Sequence, residues 1–268
     1  MRRELEVWLR PDEVRVGRRG WLRGARGMAM QRFAVAEQSS EGAEPWRAAL
    51  DRLTEALLEM NVHGGALRMV LSDHFLHYLL VPWSEKLVSD NERLAFARLS
   101  LAKVYGTLAD GWDLCMDDQP AGQASFACAM DRGLAQALRR LATQRGLRLR
   151  ALLPAFSVRV NRHRRALSGA AFALASAEPG HLTLAFRSAP GWTSVRSRRI
   201  DTPLPEALAL ALKQESAVAG SASAGALYLV GEEVAQLSSF AVPGWNVTLL
   251  SEQAPLPVVA PPLARAAR

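Results

Sequence analysis

His74 and His77 lie three residues apart, a spacing that on a helix would offer two imidazoles to one metal ion. The residues around them read as strand, turn and strand, and side chains three apart on a strand point to opposite faces. A shared metal is therefore not expected. Ser72-Asp73-His74 holds the residue types of a nucleophile, an orienting acid and a base. Adjacent residues cannot line up in that relay, so the tripeptide reads as a turn. Cys115 and Cys128 lie thirteen apart on neighbouring predicted strands and could meet. No CxxC accompanies them, and two buried thiols in a reducing compartment are expected. The chain has no Walker A sequence, no GxGxxG and no GxSxG. Catalytic, cofactor-binding and metal-binding residues are accordingly expected to be none.

The elements that carry these residues follow from periodicity. Residues 5–9 and 13–16 alternate at period two around Arg10-Pro11-Asp12, which predicts a hairpin, and 31–36 supply a third strand. Pro45 opens a helix with Trp46, Leu50, Leu53, Leu57 and Met60 on one face. Strands are predicted at 66–71 and 75–81. Ser89 and Glu92 have capping-box spacing and start a helix whose Leu94, Ala97, Leu101 and Val104 face inward. Strands at 112–116 and 125–130 follow, and Asp131 caps a helix that buries Leu134, Leu138 and Leu141. After a strand at 147–153, Phe156, Val160, His163 and Leu167 form the buried stripe of a helix running to Ser168-Gly169.

The pattern then restarts. Strands are predicted at 171–175, 182–186 and 194–200, with turns at Glu178-Pro179-Gly180 and Ala189-Pro190-Gly191. A helix at 204–218, a strand at 227–230, a short helix at 232–239 and a strand at 246–250 complete it. Residues 254–268 carry four prolines and predict a disordered tail. The order implies α/β architecture in two similar lobes. The first spans 1–168 with an inserted subdomain at about 66–153, and the second, reduced lobe spans 169–253.

Composition bounds the function. Of 268 residues, 49% are apolar, which suits a globular chain. No run approaches a bilayer span, and the charged start is unlike a secretory signal, so a soluble cytoplasmic protein is expected. Net charge is +7, with lysine only at Lys86, Lys103 and Lys213. The arginines scatter through every segment instead of lining one aromatic-studded face, which argues against nucleic acid. An anionic membrane surface suits such a charge as well, so peripheral membrane association stays open.

From Val70 to Trp83 the chain resembles the strand–turn–strand of PilM and GspL proteins, which ends in a Leu-Pro or Val-Pro-Trp. The helix with Ala97, Ala102 and Tyr105, and the run from Asp131 to Leu153 with Pro154-Ala155-Phe156, match the order of that family over about residues 5–250. The resemblance implies an actin-like (ribonuclease H-like) duplicated two-lobed fold with central mixed sheets. Actin-like ATPases hold phosphate with two Asp-x-Gly hairpins. Here the first equivalent is Arg10-Pro11-Asp12 and the second is Glu178-Pro179-Gly180. One lacks a glycine, and the other has a proline in place of an amide donor and no aspartate. The adenosine-side glycine cluster is reduced to Val230-Gly231-Glu232-Glu233.

The resemblance thus implies a non-catalytic scaffold of a type IV pilus or type II secretion inner-membrane platform. Its expected partner is the cytoplasmic peptide of a bitopic membrane protein of the PilN or GspM kind, with an assembly ATPase as a further partner. Trp21, Trp83 and Trp192 are candidate partner anchors. The alternatives are a weak ATP-binding actin-like protein, or a basic protein binding nucleic acid or a membrane surface.

Overall fold

The computed structural model of the chain describes residues 4–19, 30–36, 44–87, 89–219, 224–231, 234 and 241–252. Trp21, the predicted helix at 232–239 apart from Val234, and the tail at 254–268 lie outside them. By contact the described chain divides into two compact units. The first draws on Met1–Leu76, Tyr105–Leu114 and Ala129–Val158, and the second on His77–Val104, Cys115–Cys128 and Arg159–Arg268.

In the first unit, β1 (Glu4–Leu9) and β2 (Glu13–Arg19) form the hairpin expected from period-two alternation. The antiparallel β3 (Met30–Ala34) extends it. Helix α1 (Arg47–Glu59) then carries the chain back so that β4 (Gly65–Leu71) pairs parallel with β1. The parallel β8 (Leu147–Pro154) closes the order β3-β2-β1-β4-β8. Helix α1 buries Leu50, Leu53 and Leu57 against this sheet. Helix α3 (Arg132–Gln144) buries Leu134, Leu138 and Leu141 as its spacing predicts. Its start is fixed by Asp131, whose Oδ1 accepts from Leu134 N at 2.9 Å. The left-handed Gly146 (φ 62°) ends it.

The second unit repeats the plan. Strands β9 (Ala171–Glu178), β10 (His181–Ser188) and β11 (Gly191–Arg199) form an antiparallel meander. Helix α5 (Leu204–Ala219) crosses over to β12 (Gly225–Gly231), which pairs parallel with β9, and β13 (Trp245–Leu250) pairs parallel with β12. The order β11-β10-β9-β12-β13 is the same as that of the first sheet. Leu204, Leu208 and Leu212 of α5 pack with Leu182, Leu184, Leu227 and Leu229 in its core.

Between these sheets in sequence lie β5 (Leu76–Val81), α2 (Asp90–Tyr105), β6 (Trp112–Met116) and β7 (Ser125–Asp131), with a three-stranded order β5-β7-β6. The Ser89–Glu92 capping box forms as read. Ser89 N donates to Glu92 Oε2 at 2.9 Å and Glu92 N donates to Ser89 Oγ at 3.2 Å.

Two predicted stripes need correction. In α2 only Ala97 and Leu101 are buried, while Val104 is 72% exposed. The two buried positions lie in the middle of the helix. The final helix of the first half, α4 (Ala155–His163), stops at His163 and does not reach Ser168. Val160 and Leu167 are only half-buried, and the covered positions are Ala155, Phe156, Val158, Arg159 and His163. The helix is thus turned one residue from the apolar reading, because a buried arginine sits on its inner face.

Candidate functional site

In the first unit the loop where the fold would present its first phosphate hairpin is closed by the chain itself. Arg10 N donates to Glu13 O at 3.0 Å, and Val35 N donates to Asp12 O at 2.9 Å, which pins the loop from both ends. The Arg10 side chain is buried and turns back on the loop. Its Nε donates to Asp12 Oδ1 at 3.0 Å and its Nη2 to Asp12 Oδ2 at 2.8 Å. This bidentate fork fixes the carboxylate by geometry as well as by charge. The carboxylate that could have organised a metal is matched to a guanidinium.

The second unit treats its hairpin in the same way. Glu178 ends β9 and is 1% exposed. Arg159 of α4 donates through Nη1 to Glu178 Oε1 at 2.8 Å and to Ser176 Oγ at 2.9 Å. Its Nε donates to Glu252 Oε1 at 2.6 Å. Arg162 adds a bond to the Glu252 carbonyl and lies 3.7 Å from its carboxylate. The turn that follows, Pro179-Gly180, has the left-handed Gly180 (φ 69°) that a tight return needs. Pro179 offers no amide to an anion.

Asp12 is held bidentately by Arg10 and Glu178 accepts from Arg159, so a metal at either carboxylate would have to compete with a guanidinium that is itself buried. Gly231, the glycine left at the expected adenosine side, serves packing. A Cβ there would lie 1.9 Å from Ala177 O of the neighbouring strand β9. Its partners in that motif, Glu232 and Glu233, lie outside the described residues.

The remaining candidates are dispersed. Trp83 is 46% exposed, as an anchor would be. Trp192 is half-buried and packs edge-to-face on Phe126 and Phe172, with ring centroids at 5.4 and 5.8 Å. It holds an aromatic cluster together. His74 sits in a one-turn 3-10 helix, where its N–H donates to Ser72 Oγ at 3.2 Å, and His77 sits on β5. Among the described residues no group of three or more His, Cys, Asp or Glu could hold a metal. Asp73 accepts from Phe156 N at 3.1 Å, so its carboxylate satisfies an N–H in the first turn of α4. Cys115 and Cys128 do meet: the Cys115 thiol donates to the Cys128 carbonyl at 3.5 Å, and no disulfide joins them. Cys128 is buried as read, but Cys115 is only half-buried, because β6 lies at the end of the β5-β7-β6 order.

The site residues that sequence reasoning missed are Arg159, Ser176 and Glu252. A signal was present. An arginine inside an apolar helical stripe and a glutamate ending an otherwise apolar strand form a complementary pair.

His77 and His163 give the second unit a pH dependence. Burial lowers the pKa of both below 6.5, and at His163 the nearby Arg162 adds to the effect while Glu252 opposes it. Below its ordinary value each histidine takes up a proton more readily in the unfolded chain. Stability is therefore full above about pH 6.5 and is lost as pH falls toward the folded values. The unfolding midpoint is expected to drop between about pH 7.5 and pH 5.5. A His77→Gln/His163→Gln variant should flatten that curve.

No known protein-family profile matches the chain, and no curated protein matches it by sequence. Solved structures do match its fold. The cytoplasmic domain of EpsL, an inner-membrane component of the type II secretion system of Vibrio cholerae, is similar with a TM-score of 0.57 and 12% identity, over 94% of this chain and 91% of that one. A chain of the PilM–PilN type IV pilus biogenesis complex is similar with a TM-score of 0.60 and 13% identity, over 88% and 83%. A Bacteroides thetaiotaomicron protein with an actin-like ATPase fold and unknown function gives 0.57 and 10%, over 92% and 91%. The twice-used 3-2-1-4-5 strand order and these likenesses over nearly the whole chain identify the fold as actin-like.

Proposed function

We propose that the chain is a non-catalytic adaptor on the cytoplasmic face of a type IV pilus or type II secretion-like inner-membrane platform. It grips the cytoplasmic peptide of a single-span membrane protein of the PilN or GspM kind. The observation that carries this reading is the pair of arginine clamps, Arg10 on Asp12 and Arg159 on Glu178, set at the two hairpins where an actin-like ATPase needs open carboxylates. The likeness to EpsL and to PilM supports the choice of system. Peptide capture needs no catalytic group, since a peptide binds by adding a strand or filling a groove. The edge strands β8 and β11 expose Arg148, Arg150, Arg196 and Arg199, which favours an acidic peptide. Among the described residues no helix is long and apolar enough to cross a membrane.

The test is a pull-down with the full chain from detergent-solubilised bacterial membranes. It is expected to capture a single-span protein, and a synthetic copy of that protein's N-terminal peptide should bind in calorimetry. Capture of no such protein sinks the adaptor reading. Titration with magnesium ATP is expected to give no saturable heat, so that a saturable isotherm would favour the ATP-binding alternative, and release of inorganic phosphate from ATP would overturn the non-catalytic half.

A further inference from the structure

Helix α2 has two apolar faces and uses only one of them. Ala97 and Leu101 are buried, whereas Phe96 is 37% and Leu99 is 66% exposed on the opposite stripe. Single exposed apolar residues are ordinary on protein surfaces. These two are not placed at random, because charges of opposite sign bracket them on the same stripe. Glu92 lies one turn before Phe96 and Lys103 one turn after Leu99, both exposed. The midpoint of Glu92 and Lys103 and the midpoint of Phe96 and Leu99 coincide, between Ala97 and Arg98. The stripe therefore reads as its own complement when it is reversed.

We infer that this stripe is the seam of a homodimer, formed by α2 of two copies packed antiparallel about a two-fold axis through that midpoint. Such an interface is isologous, each residue meeting the residue at the mirrored position. Phe96 of one copy packs on Leu99 of the other, and Glu92 of one faces Lys103 of the other at both ends. The rungs stand about 16 Å apart, from eleven residues at the helical rise. Glu92 already caps its own helix through Oε2, and a carboxylate has further acceptor sites for a lysine. Ala95 and Ser100, mirrored about the same point, are small and let the axes approach at the shallow crossing of antiparallel helices. One helix pair lies below about 1,200 Å² of buried area, so the dimer is weak and reversible.

Sedimentation of the full chain over a concentration series tests this. The expected result is a reversible rise from one chain mass toward two. Leu99→Glu puts two carboxylates into the seam and is expected to weaken association at least about tenfold. Lys103→Glu should also weaken it, and Glu92→Lys/Lys103→Glu should restore it, because both rungs are rebuilt with their signs exchanged. Phe96→Ser leaves cap and rungs intact and should weaken association as Leu99→Glu does, with the circular dichroism of Leu99→Glu, Phe96→Ser and Lys103→Glu unchanged. A chain that stays monomeric throughout overturns the inference and gives the stripe to another partner. So does a dimer that neither Leu99→Glu nor Phe96→Ser weakens.

Discussion

Replacing Arg159 with methionine is expected to destabilise the second unit by about 3–5 kcal/mol, the usual cost of stripping one partner from a buried ion pair. The reason is what remains. Glu178 and Ser176 are each 1% exposed, and both would lose the same donor. Glu252 would lose its 2.6 Å bond to Nε and keep its contact with Arg162. Methionine fills much of the arginine volume, so the loss reports the charged hydrogen bonds given up by Glu178, Ser176 and Glu252 more than a cavity. Urea titration followed by a probe in the second unit measures it. The discriminating variant is Arg159→Met/Glu178→Gln, which removes the charge left behind and should recover more than half of the loss. Equal losses in the single and double variants would show that packing, not charge, is what Arg159 supplies.

Gly231→Ala should be comparably damaging, at about 3–4 kcal/mol, for a different reason. The new Cβ would stand 1.9 Å from Ala177 O and 2.8 Å from its carbon, both rigid backbone atoms of β9. The position also has φ 141°, which disfavours any side chain. Strands β9 and β12 pair Gly231 with Ala177, so the ladder must open at that end. Hydrogen exchange should accelerate at β12 amides first. Gly106→Ala and Gly122→Ala are the controls. Both glycines have positive φ but nothing within 4 Å of the added carbon, so each should cost only about 1 kcal/mol.

The elements were legible because their signals are local. The β1–β2 hairpin, the Ser89–Glu92 box and the Asp131 cap each need only residues a few positions apart. The lobe repeat was legible for the same reason, since strand and helix order can be read one element at a time. What was not legible joins distant positions. Periodicity places Val160 on the inner face of α4, because an arginine in a helical stripe and a glutamate ending a strand are each visible locally, while their meeting in one buried cluster with Glu252 joins distant positions. The two hairpins were read as lacking glycine and aspartate, and that they close on themselves through arginine is visible only in space. Gly231 was read as the remnant of a nucleotide motif, and its contact with Ala177 gives it a packing reason. The sequence offers Trp192 as an anchor, and no local pattern shows that Phe126 and Phe172 pack against it.

The first sheet also has a history during synthesis. Its order places β4 inside, between β1 and β8, yet the 72–146 segment separates β4 from β8 in the chain. Until Leu147–Pro154 leaves the ribosome, β4 is a temporary edge that offers Leu67, Met69 and Val70 on an unpaired ladder. Closing that parallel pair spans a long loop and comes late, whereas the β1–β2–β3 meander can form at once. A nascent chain stalled before Leu147 is thus the species most exposed to misassociation, and the arginines of β8 arrive last to blunt the finished edge.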